Sequence, residues 1–384
     1  MPFRDWSPEE RAGQHIMAGF EGAAPPPALV ERVRAGRVGG VILFGRNIES
    51  AAQALDLTFA LQRAAARSRR GVPLLVAIDQ EGGRVSRLSP DFTRFPAARA
   101  FGRIGDRGLA REAARATGAE LRAAGVNLNF APVLDLLTNP ACAVIGDRAY
   151  GADPALVGEM AAAVIRGLQA EGVAACAKHF PGIGDMAPDP HETLPVSGLS
   201  LEDLRRRELL PYREAFNPRL PSGGAAAVMA AHAVYTPIDP ERPASGSPRI
   251  IGGLLREEMR FRGLAVTDDL EMGAIADPAE AALDSIRAGA DIALICHSEA
   301  AQEGALGRIA RALREGEIPP EAEALSLRRL LGAKAHFAPP IERTQEEGQL
   351  ARLHAEREAI VGRPAHRAAA EEAARREAAE LSNN

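Results

Sequence analysis

The chain has 384 residues, 46% of them hydrophobic and 25% charged, which are ordinary globular proportions that exclude disordered and fibrous classes. With 46 basic and 51 acidic residues the net charge is −5, so there is no electrostatic reason to expect nucleic acid or an anionic membrane as a partner. No stretch approaches the roughly 18 uninterrupted apolar residues of a transmembrane helix, and although the length suits two or three average domains, α/β barrels reach about 250 residues or more as one unit.

The N-terminal segment MPFRDWSPEERAGQH is polar and lacks the apolar core of a secretory signal, so the expected location is cytoplasmic. From there, short apolar runs alternate with longer stretches of helical character. The runs are HIMAGF (15–20), GGVILF (39–44), PLLVAID (73–79), VNLNFAP (126–132), VAACAKHF (173–180), AAVMAAH (226–232), GLAVTDD (263–269) and ADIALICH (290–297). Most are apolar on both faces, as strands buried between helices should be. Between them, segments such as 51–68, 108–125 and 153–172 carry apolar residues at three- and four-residue spacing. Eight strands alternating with helices is what a closed parallel barrel requires; an open doubly wound sheet would use the same alternation. The expected fold class is therefore α/β, a (β/α)8 TIM-type barrel over residues 1–335, with a helical C-terminal extension over 336–384. The last dozen or so residues read as a solvated Ala/Glu/Arg helix. Cys142, Cys176 and Cys296 are an odd number and share no metal-ligand spacing; Cys176 and Cys296, within apolar runs, read as buried free thiols, which suits a reducing compartment.

In such a barrel the chemistry comes from the C-terminal ends of the strands. Polar groups at those ends are Asp79, Glu81, Arg84 and Arg87 after the third strand, Asp135 and Arg148 after the fourth, Lys178 and His179 at the fifth, His232 after the sixth, and Asp268 and Asp269 at the seventh. One charged residue after an apolar run is an ordinary strand terminator, but five successive strands ending this way converge on one mouth. The segment from Lys178 to Pro195 holds two glycines and four prolines, too irregular for helix or simple turn, and long loops in compact domains are usually functional. Within it Asp189 and His191 lie two apart, close enough for the carboxylate to hold the imidazole and favour its protonated form. Such a pair suits general acid and then general base work. Asp268, at the end of GLAVTDD, suits nucleophilic attack on an anomeric carbon, although Asp268 or Asp269 could instead cap the segment that follows.

Taken together, these motifs resemble those of the β-N-acetylhexosaminidases of glycoside hydrolase family 3. Lys178-His-Phe-Pro-Gly-x-Gly followed by Asp189-x-His191 is similar to their KHFPGHG…DSH signature, and Ile78-Asp-Gln-Glu-Gly-Gly-Arg-Val-Ser-Arg87 to their IDQEGGRVxR segment. Phe130–Asp135, Val144–Arg148, Val228–His232 and Val266–Met272 fall in the family's order, so the likeness runs from about residue 10 to 335. It implies Asp268 as nucleophile, His191 as acid/base with Asp189 as its partner on a mobile loop, and Asp79, Arg87, Arg148, Lys178 and His179 as groups that bind the sugar. It further implies a retaining enzyme that removes terminal β-linked N-acetylglucosamine from peptidoglycan fragments in the cytoplasm, as a monomer without metal or other cofactor. Two departures stand out: Ile183 where the family usually has His, and Pro190 where it usually has Ser. Other readings of the same residues are a metal-dependent barrel hydrolase using His179, His191 and His232, a phosphorylase, a family 3 enzyme of other specificity, and a non-catalytic sugar-binding relative.

Overall fold

The computed structural model describes residues 3, 5–186, 194–220, 223–273, 275–338 and 346–383. All eight apolar runs become strands: β1 Ile16–Ala18, β2 Gly40–Leu43, β3 Leu75–Ile78, β4 Leu128–Asn129, β5 Ala174–Phe180, β6 Ala227–Ala230, β7 Leu264–Asp269 and β8 Ile292–Ile295. Each pairs in parallel with its sequence neighbour, and β1 closes on β8 with Ile16 opposite Ala293. The result is a closed (β/α)8 barrel. Side-chain alternation explains why the runs are apolar on both faces. Met17, Ile42, Leu75, Leu128, Cys176, Met229, Val266 and Leu294 fill the interior, whereas Val41, Leu43, Val76, Ile78 and Ile295 face the helices. Each such large side chain contributes roughly 1.5–3 kcal/mol by leaving water. β4 is shorter than its run: the Ala131 N–H turns back to Asn129 O at 2.8 Å, and parallel pairing with β5 resumes as a single bridge between Val133 and Lys178.

The surrounding helices begin at oxygen-bearing caps. Ser50, Asp106, Asp153, Asp277 and Ser298 each accept a backbone N–H in the first turn of Ala51–Ala66, Arg107–Ala123, Pro154–Ala170, Pro278–Ala288 and Glu299–Glu315. Beyond the barrel strands, Val196–Ser197, Val234–Tyr235 and Asp239–Pro243 form a small sheet that the apolar runs do not announce. No helix among the described residues is long and apolar enough to cross a membrane.

Helix Pro320–Phe337, which contains residue 335, packs Leu327, Leu330 and Phe337 against the interior cluster. It also buries Lys334, whose Nζ donates to Gln14 Oε1 at 2.6 Å. Burial pushes this ammonium down to about 7. Between about 7 and the usual lysine value of 10.5 the unfolded chain therefore binds more protons than the folded one. The destabilisation is full below that window and fades as pH rises through it. Thermal melts from pH 7 to 9 should show wild type gaining on the order of 2 kcal/mol relative to Lys334→Met. Parallel pH profiles for the two proteins would remove Lys334 as the cause.

The C-terminal helices Glu346–Ile360 and Pro364–Asn383 are tied to the barrel wall. The buried Glu120 carboxylate accepts from Thr93 N and Oγ1 (2.8 and 2.7 Å), Gly362 N (3.0 Å) and His366 Nδ1 (2.7 Å). Ala373 is fully buried against a cluster containing Phe95, Phe101 and Tyr150, and Arg376 bonds Asp106 at 2.7 Å. A composition that reads as a solvated helix is thus docked in part, because alanines at three- to four-residue spacing present a flat apolar stripe.

Candidate active site

The C-terminal ends of the strands surround a cavity of about 440 Å³, a volume suited to a small ligand. Asp79, Arg87, Arg148, Lys178, His179 and Asp268 all line it. Asp189, Pro190 and His191 lie outside the described residues, but Ile183 and Pro195, on either side of that segment, also line the cavity.

One wall is an array of four charges drawn from three strand ends. Lys178, buried at the end of β5, places Nζ 2.6 Å from Asp79 Oδ1 and 2.6 Å from Glu81 Oε1. Arg148 grips Glu81 with both Nε and Nη2 at 2.8 Å, the forked geometry in which guanidinium–carboxylate pairs are strongest. Two positive and two negative groups cancel, which makes their common burial tolerable. Burial alone would raise the Glu81 carboxyl, but Lys178 and Arg148 overcome it and hold it at about 2. Lys178 is likewise held above the usual lysine range, because Asp79 and Glu81 outweigh its burial. Glu81 is aimed by the two glycines after it. Gly82 and Gly83 have φ of +95° and +56°, and a Cβ on either would come within 2.5 Å of Pro96 O or Ala97 Cβ.

Behind the wall, Asp135 is saturated with donors. Its Oδ2 accepts from His179 Nδ1 at 2.7 Å and His179 N at 3.2 Å, and its Oδ1 from Ile183 N at 2.8 Å. The His179 ring is thereby fixed in orientation. The bond from Ile183 is a backbone one, so it survives whatever side chain stands at that position. Arg87 presents a buried Nε with no hydrogen-bond partner among the described residues. An unmet buried donor costs about 1–3 kcal/mol, and on a cavity wall it is available to a ligand oxygen.

Opposite stands Asp268. β7 runs in register with β6 from Leu264 to Thr267, but against β8 it has one residue too many between Val266 and Asp269. A bulge of this kind re-aims a side chain near the end of a strand, here at Asp268. Burial opposes ionisation of its carboxyl, yet His179, His232, the Asp269 N–H at 2.9 Å and Lys178 together hold it below the usual aspartate value. The adjacent Asp269 goes the other way: burial raises it, and its Oδ1 accepts from Glu271 N and Cys296 N at 3.1 and 3.2 Å. Two neighbouring carboxylates that both line the cavity are thus distinguished: Asp268 is held below the usual aspartate value, while Asp269 is raised and engaged with backbone. His232, lowered by burial, donates Nε2–H to Asp269 O at 3.1 Å and accepts from Ser245 Oγ at Nδ1, 2.7 Å away.

The six described residues expected at the site therefore meet in one place. Sequence reading gave Glu81 no site role; its position after the third strand is visible, but its grip on Lys178 and Arg148 depends on loops far apart in the chain. His297 also lines the cavity, 3.5 Å from Asp269 Oδ2. It looks like the tail of an apolar run. Among the described residues no group of three or more His, Cys, Asp or Glu is placed to hold a metal ion.

The chain is 42% identical over 272 residues to a beta-hexosaminidase of Nitrosomonas eutropha, covering 68% of this chain and 74% of that one. A beta-hexosaminidase of Bordetella avium is 38% identical over 333 residues, covering 83% and 89%. A family 3 beta-N-acetylglucosaminidase structure from Paenibacillus superposes with a TM-score of 0.82 at 39% identity, covering 91% of this chain and 68% of that chain. The NagZ structure from Neisseria gonorrhoeae in complex with N-trifluoroacetyl-D-glucosamine gives 0.74 at 32% identity, covering 94% and 98%. With residues 9–333 matching the model of the glycosyl hydrolase family 3 N-terminal domain, the chain belongs to glycosyl hydrolase family 3.

Proposed function

We propose that the protein is a retaining β-N-acetylhexosaminidase that releases terminal β-linked N-acetylglucosamine from peptidoglycan-derived fragments. The observation that carries this reading is the ionised Asp268 facing the Asp79–Lys178–Glu81–Arg148 array across one small cavity. The names of its relatives support the same substrate class. In the first step an Asp268 carboxylate oxygen bonds to C1 of the sugar as the C1–O bond to the aglycone breaks. His191, oriented by Asp189, gives its proton to the departing oxygen. In the second step His191 takes a proton from water, whose oxygen bonds to C1 and displaces Asp268. Two inversions return the β configuration. Asp79 accepts from sugar hydroxyls, while Lys178, Arg87, Arg148 and His179 complete the pocket that binds the sugar. The reading further takes the enzyme as a cytoplasmic monomer needing no cofactor.

The test is hydrolysis of 4-nitrophenyl N-acetyl-β-glucosaminide followed by proton NMR. The expected result is turnover with the β-anomer of N-acetylglucosamine appearing first and slower reaction of the matching glucoside. First appearance of the α-anomer, or no turnover, would overturn the reading.

A further inference from the structure

The last helix, Pro364–Asn383, lies beyond the residues 9–333 that match the family model, and none of its described residues lines the cavity. Its docking is nonetheless specific. Ala373 is fully buried, with Ala369 and Ala370 partly buried beside it, in the cluster that holds Phe95, Ala98, Phe101 and Tyr150. Arg376 bonds Asp106 at 2.7 Å and Glu377 stands 3.5 Å from Arg103, so the helix lies along helix Ala98–Ile104 and the start of Arg107–Ala123. Both ion pairs are partly exposed and contribute little. The alanine stripe does the holding.

Helix Ala98–Ile104 and its lead-in meet the chain on both sides of the Glu81–Arg148 pair. At the lead-in, Phe95 O accepts from Gly83 N at 3.0 Å, and Pro96 O and Ala97 Cβ close over Gly82 and Gly83, the two residues that follow Glu81. Within the helix, Gly102 lies against the carbonyl of Tyr150, so near that a Cβ has no room, and Tyr150 is two residues beyond Arg148. Behind the pair a space of about 50 Å³ is left, lined by Glu81, Arg148, Phe95, Ala98, Phe101 and Tyr150 among others. The barrel side therefore does not fix this helix by close packing. Its outer side, where Ala373 sits, does.

We propose that helix Pro364–Asn383 is a positioning element for the sugar-binding wall: packed on helix Ala98–Ile104, it fixes where Glu81 and Arg148 stand. The proposal rests on the hexosaminidase reading of the cavity. Close-packed side chains pass a displacement from one to the next. Glu81 is held by Arg148 and itself holds Lys178, which in turn holds Asp79, so a shift of the helix reaches four charges at once. Asp268 stands on β7 across the cavity, away from the helices that Pro364–Asn383 packs on. Loosening the last helix therefore weakens sugar binding in ground and transition states alike, which raises KM and leaves kcat in place.

The experiment uses the full chain as wild type, as Ala373→Leu, which wedges the helix outward, and as Ala374→Leu, the same change at an exposed neighbour. A fourth protein, Arg103→Ala/Arg376→Ala, removes the two surface pairs and leaves the packed residues intact. The readouts are kcat and KM on 4-nitrophenyl N-acetyl-β-glucosaminide well below the melting temperature, inhibition by free N-acetylglucosamine, and hydrogen exchange of peptides covering 79–87 and 263–272. Ala373→Leu should raise KM and the inhibition constant about tenfold with kcat within about twofold of wild type, since small misplacements of binding groups are costly. Exchange should quicken over 79–87 and stay unchanged over 263–272. The double variant should raise KM about threefold, and Ala374→Leu should match wild type. An unchanged KM in a folded Ala373→Leu, or exchange that quickens equally in both peptides, overturns the proposal. If Ala373→Leu does not fold, the double variant decides, and wild-type KM and exchange in it overturn the proposal. A wild type inactive on the aryl substrate would overturn the hexosaminidase reading instead, while exchange over 79–87 would still report whether the helix sets this wall.

Discussion

Replacing Asp268 with Asn should lower kcat on any N-acetylglucosaminide by roughly 10⁴-fold or more, the scale seen when a covalent nucleophile is removed. Asn has nearly the same shape, so the bulge at the end of β7 and the packing of Val266 should persist. What disappears is the anionic oxygen that bonds to C1. Substrate binding should change little, since the side chains assigned to the hydroxyls stand on the opposite wall. The measurement is steady-state kinetics alongside a thermal melt; a variant that folds normally yet keeps more than a few per cent of activity would end the assignment. Asp269→Asn should behave differently. That carboxylate is engaged with Glu271 N and Cys296 N, so its loss acts on loop geometry rather than on the chemistry.

Lys178→Met should produce the second large effect, in three observables at once. The ammonium stands 2.6 Å from both Asp79 and Glu81, and removing one partner from such buried ion pairs costs about 3–5 kcal/mol of stability. Catalytic efficiency should fall about 10²-fold or more, since a charged hydrogen-bond donor to substrate and the anchor for Asp79 go together. The pH profile adds a directional check. Asp268 must be ionised to attack, and Lys178 is one of the groups that hold its carboxyl below the usual value. Without Lys178 the carboxyl rises, so the acid limb of the kcat/KM profile should move to higher pH. A melt-only defect with an unmoved acid limb would make Lys178 a structural residue.

Much of this arrangement is visible in the sequence because a parallel barrel buries its strands on both sides. Runs such as GGVILF and PLLVAID leave few alternatives, and the polar residue that ends each run marks the mouth. Less visible are features set by contacts distant in the chain. Glu81 gains its importance from Lys178 and Arg148, respectively 97 and 67 residues further on. The one-residue bulge that turns Asp268 toward the cavity depends on the register of β8. The docking of the last helix rests on Ala373 and Arg376 meeting Phe101 and Asp106, which composition alone reads as solvated surface. Asp189 and His191 stand out by their two-residue spacing in the segment from Lys178 to Pro195, and the resemblance assigns them as acid/base and partner.

The central claim is that a carboxylate oxygen of Asp268 becomes covalently joined to the sugar. Incubation with a slow fluorinated N-acetylglucosaminyl donor, followed by peptide mass spectrometry, tests it directly. The account predicts a single glycosyl adduct on the peptide spanning residues 263–287, located at Asp268 and absent from Asp268→Asn. An adduct on Asp269 or Asp79, or turnover of the donor with inversion and no adduct, would contradict it.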